Sequence, residues 1–433
     1  MVTRDPNGGH DGGERSFVGA PFVAQGEAVP SVPAFLPGPF RRIVAANLFG
    51  SLAFWSFYGT VFWEASNRFG ADQADMAVLG VALSVPFILG SLIQGLAVDR
   101  WSPKWLLMLG YFALFAAVPI AWAATSLPWL WASSFLIGGA FATIEPSRSA
   151  LTGLLVPPER LVAANGAIAT AFQAAIVIGS LGGGWLIDAY GADVAYGLSA
   201  CSALVPIALL VGLPDVRQHG ERPSMSFGDL RRGAAAAWHQ PQLRILLVLT
   251  SASWTLINVF FILEPLFVKD VLGRQDAALL YLWAAHGAGA LAGAIWVTRA
   301  RRLTGREATL VCAGVILVGA GIFVYTAVGS YQVALAASAL SGLGFALFFP
   351  PLLALIQRVI SEDQRGRVTG VFVALQETAG LASSLAVFGL GALVVVGPTL
   401  VAAGALVAIM GAVGLRAEAS ASREVATRER QTT

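Results

Sequence analysis

Charge, cysteine, lysine and histidine are all scarce in this chain of 433 residues. Charged residues make up 12% of it, about half of the quarter usual in soluble domains. Its two lysines are Lys104 and Lys269, and neither follows the glycine pattern that a phosphate-cradling loop requires, so no ATPase can be assembled from them. The four histidines, His10, His219, His239 and His286, show no zinc spacing. The two cysteines, Cys201 and Cys312, fall inside separate apolar runs, where buried thiols are expected rather than a disulfide or a metal site. A formal net charge of +2 gives no case for nucleic acid. The expectation is no metal, no cofactor and no enzymatic activity.

What the chain does contain is oil. Apolar residues occupy 56% of positions. About 30 Å of hydrocarbon crossed at about 1.5 Å per residue takes roughly 20 mainly apolar residues. Twelve runs of that kind lie near 43–63, 76–98, 105–125, 129–151, 162–187, 193–213, 244–266, 277–298, 308–328, 332–357, 368–390 and 393–415. The fold class expected is therefore an all-α membrane protein of twelve transmembrane helices. Residues 1–40 are polar and rich in glycine and proline, with no basic segment leading into an apolar one. They read as a disordered tail rather than a cleavable signal, leaving the first span to direct insertion.

Arginine and lysine fall almost wholly in alternate gaps between these spans. Arg41, Arg42, Arg100, Lys104, Arg148, Arg160, the linker arginines, Arg299 to Arg306, Arg358, Arg365 and Arg367 share one side. The other side carries Arg68, Lys269 and Arg274, so the 27 basic residues divide 24 to 3. By the positive-inside bias the rich side faces the cytoplasm, which predicts a multi-pass protein of the cell membrane with both termini cytoplasmic.

The chain also repeats itself. At a shift of 204 residues Pro146 falls on Pro350, Gly166 on Gly370 and Gln173 on Glu377; at 203, Arg41 falls on Arg244 and Gly70 on Gly273. Two matched six-helix bundles, 41–213 and 244–415, are expected on either side of a polar, basic cytoplasmic linker, 214–243, with a short helix near 227–238 and a cytoplasmic tail over 416–433. Like-oriented halves of this kind place a solute site near mid-membrane between them. Because each chain holds both halves, a monomer suffices.

The segment GLAVDRWSPK, with Gly95, Asp99, Arg100 and Lys104, resembles the cytoplasmic signature between spans two and three of the major facilitator superfamily. Pro146 to Ala150, Leu155 to Asn165 and Glu264 to Gly273 look like the branch that exports macrolides, siderophores and other drugs. The resemblance covers about residues 40–415. It implies a secondary transporter working by alternating access, most readily the proton-coupled efflux of a small amphipathic compound such as a drug, siderophore or secondary metabolite. The alternatives are an importer or facilitator of a small nutrient and, further off, a non-transporting membrane sensor. There are departures from the pattern. Ser180 stands where the antiporter motif of span five usually has proline, Ser134 where many drug–proton antiporters have arginine, and the stretch Thr298 to Arg306 lacks the signature's acid.

Ionisable groups within spans are costly and so are candidates for function. Glu377 lies about ten residues into span eleven, near mid-depth by a rise of about 1.5 Å per residue, beside Gln376; it is a proton-coupling candidate or a hydrogen-bonded link between helices. Glu145 is a second candidate, with Arg148 at i+3, where an intrahelical pair is the competing role. His286 is a third, against a packing histidine. For the solute cavity the candidates are Trp55, Tyr58, Gln173, Trp254, Asn258 and Gln376. For the cytoplasmic gate they are Gly95, Asp99, Arg100, Lys104 and Arg148, with Arg148 able to meet either Asp99 or Glu145. Glu64 and Glu264 are placed at the outer ends of spans one and seven, within reach of water.

Overall fold

The computed structural model describes residues 38–157, 160–215, 227–299 and 305–432, without the side chains of 91–100 and of the stretch beyond 419. The tail reading of 1–37 and most of the stretch Thr298 to Arg306 lie outside it. Among the described residues there is no strand. The helices are α1 (Gly38–Asn67), α2 (Gln73–Arg100), α3 (Pro103–Trp122), α4 (Leu127–Leu155), α5 (Leu161–Tyr190), α6 (Ala192–Val211), α7 (Phe227–Trp238), α8 (Pro241–Leu266), α9 (Ala278–Arg299), α10 (Glu307–Ala327), α11 (Tyr331–Val359), α12 (Glu362–Leu390) and α13 (Val396–Thr432). Eleven of them are long and apolar enough to cross a membrane. The exception among the twelve long helices is α1, which has the length but carries Arg41, Arg42 and several serine, tyrosine and tryptophan residues. The amphipathic α7 lies in the linker. The last helix does not end with its apolar run near 415; it continues through the polar tail to Thr432.

Local chemistry sets these boundaries. Pro103 and Pro241 open α3 and α8, and Pro128 sits in the first turn of α4, where a missing N–H costs nothing. Gly70 and Gly273 have φ of 63° and 65°. At each, the following N–H bonds back six residues, Ala71 to the Ala65 carbonyl at 2.8 Å and Arg274 to the Val268 carbonyl at 3.0 Å. A helix stop of this kind turns on a left-handed residue, which glycine supplies without strain. Two residues matched by sequence repeat thus adopt the same rare conformation.

The repeat extends to packing. In the first half α1 lies against α5 and α6, α4 against α2 and α3, and α6 against α3. In the second half α8 lies against α12 and α13, α11 against α9 and α10, and α13 against α10. Each of these five neighbour pairs of the first bundle reappears in the second six spans later. Small residues allow the approach: Gly289 of α9 rests on the Ala339 carbonyl of α11, and Gly342 of α11 on the His286 carbonyl of α9. Large apolar side chains such as Leu109, Phe112, Phe135, Trp185, Phe388 and Ile409 remain exposed on the outside, as a surface solvated by lipid tails requires. Cys201 is among the exposed side chains; only Cys312 is buried, correcting the expectation that both thiols are interior. Helical phase explains this, because Cys201 falls between the inward-facing Ser199 and Ser202 of α6.

Candidate functional site

The bundles meet along two seams related by the repeat, α5 against α9 and α2 against α12. On the first, Gly183 and Gly184 of α5 admit Leu280 and Tyr281 of α9. The Asp188 carboxylate accepts bonds from the Ala277 N–H and the Tyr281 hydroxyl, both at 2.8 Å. On the second, Gly80 admits Ser384 and the Gln73 amide donates to the Val394 carbonyl at 3.3 Å. Between them the Lys269 Nζ donates to the Ser66 carbonyl at 2.6 Å. Ser66 and Lys269 are 203 residues apart, the repeat distance itself, and equivalents can touch only on the pseudo-twofold axis. These contacts lie away from the end that carries Arg41, Arg148, Arg244 and Arg358, so the structure is shut at the arginine-poor end.

Aromatic rings form the inner wall of that closure. Tyr58 of α1 stacks on Trp283 of α9 with centroids 5.5 Å apart, and Trp55 meets the same indole edge-on at 5.9 Å. Trp254 belongs to a separate cluster inside the second bundle, 5.9 Å from Phe345 and 6.4 Å from Phe348. Polar candidates gather where α2, α8 and α12 converge. Asn258 donates to the Trp254 carbonyl at 2.8 Å, and its Oδ1 would lie 3.6 Å from a Cβ built on Gly380, close to Ser84. One turn away, Gln376 is buried with neither the oxygen nor the nitrogen of its amide paired. Glu377 beside it is half-buried, and no hydrogen bond or ion pair reaches it among the described residues. Gln173 is half-buried at the equivalent height of α5.

The remaining candidates lie apart. Glu145 pairs with Arg148, whose Nε is left buried and unpartnered, so the intrahelical contact is formed. The side chains of Gly95, Asp99 and Arg100 fall outside the described residues. Lys104 is 6% exposed and does not reach across the seam. It donates to the Val211 and Leu213 carbonyls at 2.9 and 2.6 Å, while Arg42 donates to the Gly212 carbonyl at 2.6 Å, so two cations cap the C-terminal end of α6. His286 sits between Phe261 and Phe345, at 6.3 and 5.9 Å.

Two carboxylates differ from the sequence reading. Glu64 and Glu264 are 2% and 1% exposed, not water-bathed, because the chain stays helical and packed for about another turn beyond each. Glu64 holds the Arg68 Nη1 and the Tyr196 hydroxyl, both at 2.7 Å. Glu264 accepts from the Trp283 Nε1 at 2.8 Å and the Tyr325 hydroxyl at 2.9 Å. A cavity of about 20 Å³, enough for a water molecule, is lined by Phe261, Glu264, Trp283, His286, Tyr325 and Ser341 among others. Trp283 and Tyr325 were missed in the sequence, where an aromatic residue in an apolar span carries no mark of its partner; Arg68 four residues after Glu64 was the one legible sign.

Comparison with known proteins fits this architecture. The sequence matches the Major Facilitator Superfamily over residues 43–384. It is 30% identical over 269 residues to the lysophospholipid transporter LplT of Cronobacter sakazakii, a match covering 60% of this chain and 65% of that protein. With LplT of Citrobacter koseri the identity is 30% over 283 residues, covering 62% and 68%. The matched stretch thus spans just under two thirds of the first relative's length. These relatives do not place the chain among macrolide or siderophore exporters. Among solved structures, a POT family transporter in complex with a thioalcohol-conjugated peptide superposes with a TM-score of 0.70 at 12% identity, covering 88% of this chain and 96% of that one. A bacterial homologue of the human lysosomal transporter Spinster, in an inward-facing and unoccupied conformation, gives 0.60 at 16%, covering 89% and 96%. At such identities these two show the fold alone. Twelve long helices in two matched bundles and a family match over most of their length lead to one conclusion: the chain is a multi-pass membrane protein and belongs to the Major Facilitator Superfamily.

Proposed function

We propose that this transporter moves an amphipathic lipid-like solute of the lysophospholipid class, by alternating access along the seam between its bundles. The observation that carries the reading is the pairing of broad aromatic walls with a buried, unpartnered Gln376 amide beside Glu377. An acyl chain matches the first, and a polar headgroup matches the second. The names of the relatives support the same class.

In this reading the arginine-rich end is cytoplasmic and the protein sits in the cell membrane as a monomer, closed to the outside and open inward. Glu377 takes up and releases the driving proton, with Glu145 and His286 in lesser roles. Trp55, Tyr58, Trp254, Asn258 and Gln173 shape the passage. One proton falling through about 100 mV supplies about 2.3 kcal/mol, and one pH unit adds about 1.4 kcal/mol, together enough for roughly a 500-fold solute gradient.

The test is flux of a labelled lysophospholipid into vesicles reconstituted with the full chain, with and without a pH gradient. Labelled hydrophobic cations serve as the drug-export comparison. Gradient-driven lysophospholipid flux is expected. Gln376→Ala is expected to raise KM about tenfold, the loss of one buried polar contact of about 1.4 kcal/mol. Flux of the cations alone would overturn the substrate class, and driven flux that survives Glu377→Gln would overturn the role of Glu377.

A further inference from the structure

The cavity beside Glu264 is lined by the second bundle alone. The carboxylate's own helix α8 contributes Ile257, Phe260 and Phe261 to the cavity wall; α9 contributes Trp283 and His286; α10 contributes Val318, Ile322 and Tyr325; α11 contributes Ala337, Ser338, Ser341 and Phe345. Tyr325 and His286 are the titratable members of that set, and it contains no cation. One turn further on, Lys269 is turned to the Ser66 carbonyl, and beyond it Arg274 is paired with Asp276 and lies 4.6 Å over the Tyr331 ring. Among the described residues, no charged group therefore fixes Glu264 as an anion.

The hydrogen-bond chemistry around it accepts either protonation state. The indole N–H of Trp283 can only donate, so it requires Oε2 as an acceptor at all times. The hydroxyl of Tyr325 both donates and accepts. When Glu264 is ionised, Tyr325 donates to Oε1, as seen here. When a proton arrives on Oε1, that O–H donates to the Tyr325 oxygen, and the tyrosyl hydrogen turns into the cavity, where Ser341 and His286 lie. One proton is taken up, no bond is broken, and Trp283 keeps its partner. Glu64 is different, because a proton on its Oε1 would displace Arg68.

We propose that Glu264 is a second proton-binding site of the transporter, reached through the cavity it shares with His286, and that it positions Trp283 against Tyr58 at the closed seam. This rests on the reading of proton-driven transport given above. A metal cation is a poor occupant, since both carboxylate oxygens already receive donors.

The test is infrared difference spectroscopy on the full-length protein in lipid vesicles between acid and alkaline pH. In an E377Q background, which removes the Glu377 signal, a protonated-carboxyl band is expected to grow toward acid pH, and adding E264Q is expected to remove it. Y325F is expected to keep the band at a shifted frequency, since its acceptor is gone. A band that persists unchanged when E264Q is added to E377Q, or that follows sodium rather than pH, overturns the proposal. Should E264Q fail to fold, an unshifted band in Y325F does the same. Stimulation of flux by a pH gradient is expected to vanish in E264Q, and its full retention would also overturn the proposal. Absence of lysophospholipid flux in wild type would instead strike the substrate reading, with the infrared titration still deciding Glu264.

Discussion

Glu64 and Glu264 stand within a turn of equivalent positions on α1 and α8, each almost wholly buried and each taking a tyrosine hydroxyl. They differ in the second partner. Arg68 neutralises Glu64 from a side chain that is itself 50% exposed, whereas Glu264 receives a neutral indole N–H and borders a cavity. Burying a charge is costly unless it is paired, and the two bundles meet that cost in unlike ways. The first keeps a fixed ion pair whose cation reaches water. The second keeps a carboxyl that neutral donors can serve with or without its proton. The internal repeat supplied two matched bundles, and one has the charge chemistry of a scaffold where the other has that of an exchangeable site.

The largest expected effect breaks the comparison outright. Glu264→Ala strands both the Trp283 N–H and the Tyr325 hydroxyl in the core, at about 1–3 kcal/mol for each unmet donor, so a loss of roughly 2–6 kcal/mol in unfolding free energy is expected. Glu64→Ala strands the Tyr196 hydroxyl alone, because half-exposed Arg68 can turn to solvent, and roughly 1–3 kcal/mol is expected. Denaturant unfolding in detergent measures both, and equal losses would remove the distinction. Next in size is Arg68→Ala, which leaves Glu64 buried without its cation. Breaking a fully buried pair costs about 3–5 kcal/mol, and the exposure of Arg68 reduces the expectation to about 2 kcal/mol. Lys104→Met belongs at the same level. It removes a charged donor from two carbonyls of α6 and is expected to cost about 1.5–3 kcal/mol of stability with little change in KM. A large change in flux without loss of stability would return Lys104 to the gate.

The architecture was legible because apolar length, charge alternation and repeat spacing are properties of the chain alone. Gly70 and Gly273, matched only by their spacing, share one backbone conformation, and the helix near 227–238 is α7. The site was less legible because its chemistry lies in contacts between distant residues. Nothing local distinguishes Trp283, which Glu264 orients and Tyr58 stacks on, from Trp129, which is 45% exposed. The depth of Glu64 and Glu264 is not legible in the sequence, because the apolar runs stop at 63 and 266, close to the carboxylates, whereas the helical chain and its packing carry on past them. Lys104 read as a gate residue from its motif, and only the fold shows its ammonium turned onto the end of α6.

The smallest effect separates the two carboxylates most cleanly, because it alters no side chain. Salt screens charges that solvent reaches; the Debye length falls from about 10 Å at 0.1 M to about 3 Å at 1 M. Arg68 is half exposed, so ions approach its pair with Glu64, and exposed pairs are worth about 0.2–1 kcal/mol. The stability gap between wild type and Arg68→Ala is therefore expected to shrink by a few tenths of a kcal/mol over that range. The gap between wild type and Tyr325→Phe should hold constant, since Glu264 and its donors are enclosed by α8 to α11 and involve no exposed charge. Were the Tyr325→Phe gap to fall with salt as well, ions would be reaching Glu264. A carboxylate open to ions is already solvated, and nothing would then set it apart from Glu64 as a place where the protein itself decides whether a proton stays.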